Sequence, residues 1–183
     1  MGGKVEIVDV NAGNIGDIGL FCQKSKKKSE GYQRKLRWAK ARFTEGMKYK
    51  MLRTPKGHYV GFIEYIPGRY AWRGVDAGDY MVIHCLWVIG KWKGKGLGKR
   101  LLVECEKDAK KEGLKGMAVV ASSHNWLAHK DFYLKNGFKV VDSAPPSFEL
   151  LVKKFGKVRD PSFSKPSLRV GPGLTIQQNL AGF

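Results

Sequence analysis

The amino-acid sequence predicts an α/β fold of the α+β type: a mixed, mostly antiparallel sheet of about six to seven strands, with a central parallel pair and helices on both faces. The segment 80–121 reads as strand, helix and strand, and a helical crossover makes its two strands parallel. Turn signals elsewhere, such as Pro55-Lys56-Gly57, join successive strands into antiparallel pairs. Along residues 4–155 the predicted order of elements is therefore β-α-α-β-β-β-α-β-α-β-β.

The first half of the chain is predicted to contain short strands around one clear helix. Apolar residues recur at helical spacing through 32–47, with Lys and Arg on the opposite side, and Gly46 ends the pattern. Residues 69–78 contain Trp72 and several turn residues, so we expect a loop over the sheet there. The predicted elements are strands at 4–10, 49–53 and 58–66 and helices at 15–22 and 32–47.

The second half alternates strands with helices and then changes character. Residues 80–89 are β-branched and aromatic with apolar side chains on both faces, as expected of a central strand. From Gly156 onward the chain is rich in Pro and Gly and has little periodicity. We therefore expect a domain at 1–155 and a linker-like tail at 156–183. The predicted elements are strands at 80–89, 116–121, 138–142 and 148–155 and helices at 97–112 and 126–135.

The chain is strongly basic. Among its 183 residues, 34 Lys and Arg stand against 16 Asp and Glu, a formal net charge of +18. Much of this charge lies in residues 24–56, which we call the basic tract. Such a field attracts polyanions, including phosphorylated cofactors and nucleic acid, and it argues against a polyamine substrate. Charge alone does not distinguish a polyanionic partner from solvated helix faces.

The sequence contains no signal for a membrane, a disulfide framework or a metal. No apolar run reaches the length of a membrane span, and no signal-peptide pattern opens the chain. Cys22, Cys85 and Cys105 are far apart and odd in number, and the histidines show no metal-ligand spacing. We therefore expect a cytoplasmic protein with reduced thiols, no metal and no membrane partner.

A glycine-rich turn, Lys93-Gly94-Lys95-Gly96-Leu97-Gly98, lies between the central strand and the next helix. Glycine lets the backbone approach a ligand closely, and the helix start offers unpaired N–H groups and the positive end of its dipole. The turn therefore predicts a phosphate cradle, to which Lys99 and Arg100 add charge. It lacks the spacing and the Ser or Thr of a P-loop, and its third glycine comes one residue early for a dinucleotide fingerprint.

At this point the sequence resembles the GNAT superfamily of N-acetyltransferases, over about residues 4–155. Val88–Leu102 is similar to the family's strand, pyrophosphate loop and helix, with Lys93 where Arg or Gln is usual. Asn125 ends the next strand, where the family often has an asparagine that faces the cofactor. The run from Phe132 to Phe138 resembles the family's F-Y-x-x-x-G-F ending.

The resemblance implies an acyltransferase that moves an acetyl group from acetyl-CoA, its co-substrate, to a primary amine by direct transfer. In the family the pantetheine arm pairs with the strand before the loop, here Leu86 to Val88, and Tyr133 falls where the general acid often lies. The cofactor-binding residues implied in this way are Leu86, Trp87, Val88, Lys93, Gly94, Lys95, Gly96, Leu97, Gly98, Lys99 and Asn125.

Two residues are candidates for the general base. His84 shares strand parity with Leu86 and Val88, and an imidazole titrates in the right range. Glu64, on the preceding strand, is the rival and would act through a water molecule. A packing role in the core is the alternative for both bases and for Tyr133.

An alternative function is a basic nucleic-acid- or ribosome-associated binding module, in which the basic tract binds and the acyl-CoA site is secondary. We rank it lower because the tract lacks the aromatic–basic interleaving of a known RNA-binding motif. The acceptor, a small molecule or a protein, is set in the family by segments that correspond to 15–47 and 143–147, and no pattern there identifies it. The tail resembles a connector to a further domain of a longer protein; otherwise it covers its own domain or a partner in a homodimer.

Overall fold

The computed structural model describes residues 4–22, 27–122 and 130–164. Its elements are strands β1 (Glu6–Val10), β2 (Lys48–Arg53), β3 (Tyr59–Pro67), β4 (Val75–Asp76), β5 (Tyr80–Val88), β6 (Gly116–Ser122), β7 (Lys139–Ala144), β8 (Phe148–Lys154) and β9 (Ser162–Phe163), and helices α1 (Ile15–Ile18), α2 (Glu30–Arg42), α3 (Leu97–Lys111) and α4 (Lys130–Leu134). One sheet has the order β1-β2-β3-β5-β6-β8-β7, and β4 pairs with β9. Among the described strands, β5 and β6 run parallel in a mostly antiparallel sheet, which confirms the predicted fold class.

The chain divides into two compact units, one within residues 1–65 and 85–104 and the other within 66–84 and 105–183. In the first unit, β2 pairs antiparallel with β1 on one side and with β3 on the other. Phe62 of β3 stacks on Phe21 and on Tyr49, with 5.1 Å between ring centroids in each pair. This aromatic stack anchors the segment that follows α1 to the sheet, because rings of this size bury much apolar surface.

Helix α2 begins where the sequence supplies a cap. The Ser29 hydroxyl accepts a hydrogen bond from the Tyr32 amide at 3.2 Å, as expected of a serine N-cap. The Tyr32 side chain is buried, and its hydroxyl accepts a hydrogen bond from the Leu20 amide at 2.9 Å. The helix gives way to a short 3-10 turn at Phe43–Glu45, and Gly46, with a left-handed φ of 89°, ends the pattern where the sequence predicts.

In the second unit, β5 begins alongside β6. Their parallel register runs from Tyr80 opposite Gly116 to Ile83 opposite Val119, and β5 then continues to Val88. Strand β6 pairs antiparallel with β8, which pairs antiparallel with β7. The core of this unit is apolar and comes largely from alternate residues of these strands, among them Val82, Ala118, Val120, Leu150 and Val152.

The segment predicted as a loop at 69–78 and the beginning of the predicted tail pair with each other. Strands β4 and β9 are antiparallel, with Val75 opposite Phe163. Nearby in the chain, the Tyr80 hydroxyl donates to the Arg159 carbonyl oxygen at 2.7 Å. The first residues of the tail therefore pack within the second unit. Strands of two residues carry no periodicity, which is why the sequence does not predict them.

Helix α4 is the described part of the helix predicted at 126–135, since residues 123–129 lie outside the described ranges. The part of the tail beyond residue 164 lies outside them as well. Within the ranges that are described, no helix is long and apolar enough to cross a membrane.

Candidate functional site

The glycine-rich turn between β5 and α3 is open. A 3-10 turn at Gly90–Trp92 leads into it, and Lys93 continues in extended backbone with φ −63° and ψ 155°. Gly94 and Gly96 both have φ +73°, in the left-handed region that other residues rarely adopt. A Cβ built on either glycine would meet no described atom within 4 Å. No side chain of the described residues therefore covers the bend at these two positions, as a phosphate cradle requires.

Helix α3 begins directly at this turn. The Arg100 amide donates to the Gly96 carbonyl oxygen at 3.0 Å, which closes the first turn of the helix. The amides of Leu97, Gly98 and Lys99 belong to the first three residues of the helix, so helix geometry provides them with no intrahelical acceptor. The Leu97 side chain is buried, so this residue would meet a ligand through its backbone. These amides lie at the positive end of the helix dipole, where anions bind favourably.

Exposed lysines surround the turn and rest on neighbouring tryptophans. The Lys93 ammonium lies 4.9 Å from the centroid of the Trp87 ring, and the Lys95 ammonium lies 5.3 Å from that of Trp92. Such cation–π contacts hold charge near an aromatic face while leaving the ammonium in water. The turn thus combines amide donors with cations, the two kinds of group that bind a diphosphate.

The residues predicted to face a pantetheine arm form the end of β5. Leu86 is 8% exposed and Trp87 is 42% exposed, so the strand end is buried on one face and open on the other. Gly61 of β3 lies against it, because a Cβ there would be 2.7 Å from the Trp87 carbonyl oxygen and 3.1 Å from Val88 Cγ2. The absence of a side chain at Gly61 therefore allows the backbone of β3 to approach the backbone at the end of β5 closely.

Glu64, one of the two candidate bases, is a buried carboxylate in β3. Its Oε2 lies 3.8 Å from Lys35 Nζ, and Tyr49 is directly opposite it in the β2–β3 register. Burial, and then the charge of Glu64, raise the pKa of Tyr49 well above its ordinary value, so this phenol stays protonated. The Lys35 ammonium thus gives this buried carboxyl group a partner of opposite charge, and its role as a base stays a prediction.

His84, the other candidate base, is buried in a stack. Its ring lies 3.6 Å from that of Trp72, centroid to centroid, with 10° between the planes. Its carbonyl oxygen accepts a hydrogen bond from Arg73 Nη2 at 2.8 Å. The stack fixes the plane of the imidazole, which fits a packing role and a positioned base alike.

Tyr133, the candidate acid, is buried on α4 with 1% of its surface exposed. Its ring meets Phe132 and Phe138 edge-on, with centroids 5.2 Å and 5.4 Å away. Its carbonyl oxygen accepts hydrogen bonds from the amides of Asn136 and Phe138 at 2.9 Å and 3.1 Å, which end the helix ahead of Gly137. The ring position is thus set by packing and by the helix end together.

Asn125 lies outside the described residues, so its contact with the cofactor stays a prediction. The structure adds an influence that the sequence does not reveal: the Cys85 thiol lowers the pKa of Cys22 to about 7, and the Cys22 thiol raises the pKa of Cys85. One follows α1 and the other lies in β5, and no motif spacing connects them. In the described ranges, no group of three or more His, Cys, Asp or Glu side chains could hold a metal ion.

Comparisons with known proteins point to one family. Residues 20–138 match the family model described as the acetyltransferase (GNAT) family. The uncharacterized N-acetyltransferase YoaP of Bacillus subtilis (strain 168) is 36% identical over an alignment of 160 residues, and the match covers 85% of this chain and 62% of that protein. The chain therefore spans less than two thirds of the length of this relative.

Solved structures agree at the level of the fold. The PaiA N-acetyltransferase of Thermoplasma acidophilum, solved in complex with coenzyme A, is 22% identical with a TM-score of 0.60, and the match covers 84% of this chain and 100% of that one. A GNAT-family acetyltransferase of Staphylococcus aureus Mu50 is 14% identical with a TM-score of 0.63, and the match again covers 84% of this chain and 100% of that one. Because the family model matches more than half of its length, this chain belongs to the acetyltransferase (GNAT) family.

Proposed function

We propose that this chain is an N-acetyltransferase that binds acetyl-CoA at the turn 93–99 and transfers its acetyl group directly to a primary amine. The observation that carries the proposal is the open, left-handed backbone at Gly94 and Gly96 immediately before α3. Membership of the GNAT family supports it. So do the name of the B. subtilis relative, an N-acetyltransferase, and the coenzyme A in the T. acidophilum structure.

The proposed binding mode divides the co-substrate between the turn and the strand before it. The amides at 97–99 donate to the diphosphate, and Lys93, Lys95 and Lys99 add charge-assisted contacts. The backbone of Leu86 to Val88 pairs with the pantetheine arm, and Asn125 contacts the cofactor as well. The exposed lysines and the open bend at Gly94 and Gly96 support this division.

The proposed chemistry needs a deprotonated amine and a proton for the leaving thiolate. Tyr133 is the proposed proton donor. Glu64 is a proposed base that removes the amine proton through water, and the Lys35 ammonium 3.8 Å from its Oε2 supports that role by giving the buried carboxyl group a partner of opposite charge. His84 remains the rival base, since its imidazole is held in a fixed plane.

A pair of glycine substitutions at the two ends of α3 tests the binding site. Gly96 and Gly113 share φ +73°, and at both a Cβ would meet nothing within 4 Å. Gly96→Leu and Gly113→Leu therefore carry comparable backbone strain, about 1–2 kcal/mol each. We expect micromolar acetyl-CoA binding by titration calorimetry in wild type and Gly113→Leu, and none in Gly96→Leu, whose new side chain occupies the cradle. Equal binding by both variants would refute the site.

The acceptor is proposed only as a primary amine, on a small molecule or on a protein. A panel of amines assayed by release of free thiol identifies its class.

A polyanionic partner of the basic tract is a further proposal, and it requires an affinity that falls steeply with salt. Ion pairs already engage several cations of the tract: Arg34 with Glu30, Arg42 with Glu45, and Lys50 with Asp9. A homodimer is tested by size exclusion, with and without residues 157–183.

A further inference from the structure

We propose that Lys35 is a self-acetylation site: its ε-amine takes the acetyl group from acetyl-CoA bound to the same chain. Self-acetylation rests on the proposed function, because it needs acetyl-CoA at the turn 93–99 and Glu64 as the base. The acceptor amine in this case belongs to the chain itself. Nothing in the family match or in the names of the relatives concerns Lys35.

The side-chain amine of Lys35 lies beside the proposed base. Lys35 is in α2, and its Nζ is 3.8 Å from Glu64 Oε2. The Glu64 side chain is 5% exposed and that of Lys35 is 27% exposed, so the carboxylate is enclosed while the ammonium keeps some contact with solvent. A lysine ε-amine is a primary amine, the group that the proposed reaction acetylates. Lys35 therefore places an acceptor of the right chemical class next to the residue that would remove its proton.

Glu64 also lies beside the strand that is proposed to pair with the pantetheine arm. Among the described strands the sheet has one parallel pair, β5 with β6, so β5 is antiparallel to its other neighbour, β3. Gly61 of β3 lies against Val88 of β5, since a Cβ there would be 3.1 Å from Val88 Cγ2. Three residues further along β3, Glu64 therefore comes opposite Cys85. The carboxylate and its ammonium partner are thus placed at the start of the segment 86–88.

The transfer balances without any further reactant. Glu64 takes one proton from the Lys35 ammonium, through water as proposed for other acceptors, and passes it to solvent. The amine nitrogen attacks the thioester carbonyl carbon, the C–N bond forms and the C–S bond breaks. A second proton leaves the nitrogen as the amide forms and balances the one that the coenzyme A thiolate takes up. The products are an acetylated Lys35 and coenzyme A as the free thiol.

The chain offers an internal control in Lys40, the other lysine of α2. Lys40 is exposed, whereas Lys35 is only partly exposed. An acetylating reagent in solution should therefore react faster with Lys40, because it reaches that amine more easily. If acetyl-CoA instead modifies Lys35 faster, the position beside Glu64 decides the reaction and exposure does not.

The test incubates the full chain with acetyl-CoA and no added amine, and maps the acetylated peptides by mass spectrometry. We expect one acetyl group per chain on Lys35, with release of an equal amount of coenzyme A measured by chromatography. Sulfo-N-hydroxysuccinimidyl acetate, which needs no binding site, should label Lys40 ahead of Lys35. In Lys35→Arg, which keeps a cation beside Glu64, acetyl-CoA should leave α2 unmodified over the same time. Circular dichroism melts show that each variant is folded before the reaction.

Variants of the proposed site separate self-acetylation from simple chemical modification. Acetylation of Lys35 should be lost in Gly96→Leu and retained in Gly113→Leu. It should be slower by about 10²-fold in Glu64→Gln, and in wild type its first-order rate should not depend on protein concentration. Acetylation of Lys40 at an equal or higher rate, a rate that rises with protein concentration, an acetyl group that hydroxylamine removes from a thiol, or an unchanged rate in Glu64→Gln would each overturn the proposal.

Titration calorimetry with acetyl-CoA distinguishes failure of self-acetylation from failure of the proposed function. A wild-type protein that binds acetyl-CoA and acetylates an amine of the panel, but leaves Lys35 unmodified, would refute self-acetylation alone. A wild-type protein that does not bind acetyl-CoA would refute both.

Discussion

Replacement of Gly61 by alanine should destabilise the first unit and disturb the end of β5. A Cβ at this position would lie 2.7 Å from the Trp87 carbonyl oxygen, 2.9 Å from Leu52 Cδ1 and 3.1 Å from Val88 Cγ2, whereas ordinary contacts begin at 3.4 Å. The Leu52 contact is with the end of a side chain, whereas the Trp87 oxygen belongs to the backbone and moves only with the strand. We expect a cost of about 1–3 kcal/mol from this overpacking, which exceeds the gain of roughly 0.5–1 kcal/mol from replacing a strand glycine.

The matched control is Gly31→Ala. Gly31 lies within α2, its φ is not left-handed, and a Cβ there meets nothing within 4 Å. Alanine should therefore stabilise the helix by about 0.5–1 kcal/mol. Urea unfolding followed by circular dichroism measures both variants, and acetyl-CoA titration should show weaker binding by Gly61→Ala alone. If Gly61→Ala were as stable as wild type, the close approach of the two strands would be wrong.

Three further predictions concern single side chains. Tyr133→Phe keeps the ring packing, so the melting temperature should hold while kcat falls by about 10²-fold or more as the proton donor is lost; an unchanged kcat would leave Tyr133 only a packing role. Glu64→Gln should lower kcat and remove the acid limb of its pH profile if Glu64 is the base, whereas an intact limb would favour His84. Burial raises the pKa of Glu106, but hydrogen bonds from Lys110 and Lys153 outweigh it and hold that pKa below its ordinary value. The stabilisation from these two hydrogen bonds is therefore present above the pKa of a glutamate in the unfolded chain, about 4.3, and is lost as the pH falls through the pKa of Glu106 in the folded protein. Glu106→Gln should cost about 1 kcal/mol at neutral pH and much less at pH ~3, measured by urea unfolding.

The sequence predicts those parts of the fold in which local chemistry decides the structure. Helix α3 follows from regular apolar spacing, and the turn before it follows from glycines that the structure holds at left-handed φ. The end of the α2 region at Gly46 follows in the same way. In each case the residues that determine the conformation are close neighbours in the chain, so their order carries the information.

Contacts between distant segments are not predictable in this way. The pairing of Val75 with Phe163 joins two short strands whose sequences have no periodic pattern. The Arg100 guanidinium, whose contribution of charge at the glycine turn stays a prediction, donates to the Val5 carbonyl oxygen at 2.8 Å. A long flexible side chain finds its partner only after the backbone is in place, and the sequence gives no signal for that choice.

Glu64 influences other titratable groups of the first unit, in addition to the chemistry proposed for it. Its charge raises the pKa of Tyr49 and of Cys22, while the Lys35 ammonium lowers that of Cys22. Removing the carboxylate should therefore lower the pKa of Cys22 further and increase its thiolate fraction at neutral pH. Glu64→Gln should consequently alkylate faster at Cys22 even if its acetyl transfer is lost. If Glu64→Gln lost acetyl transfer and also alkylated more slowly at Cys22, the substitution would have disordered the surroundings of Glu64, and the assignment of Glu64 as the base would be refuted by neither result.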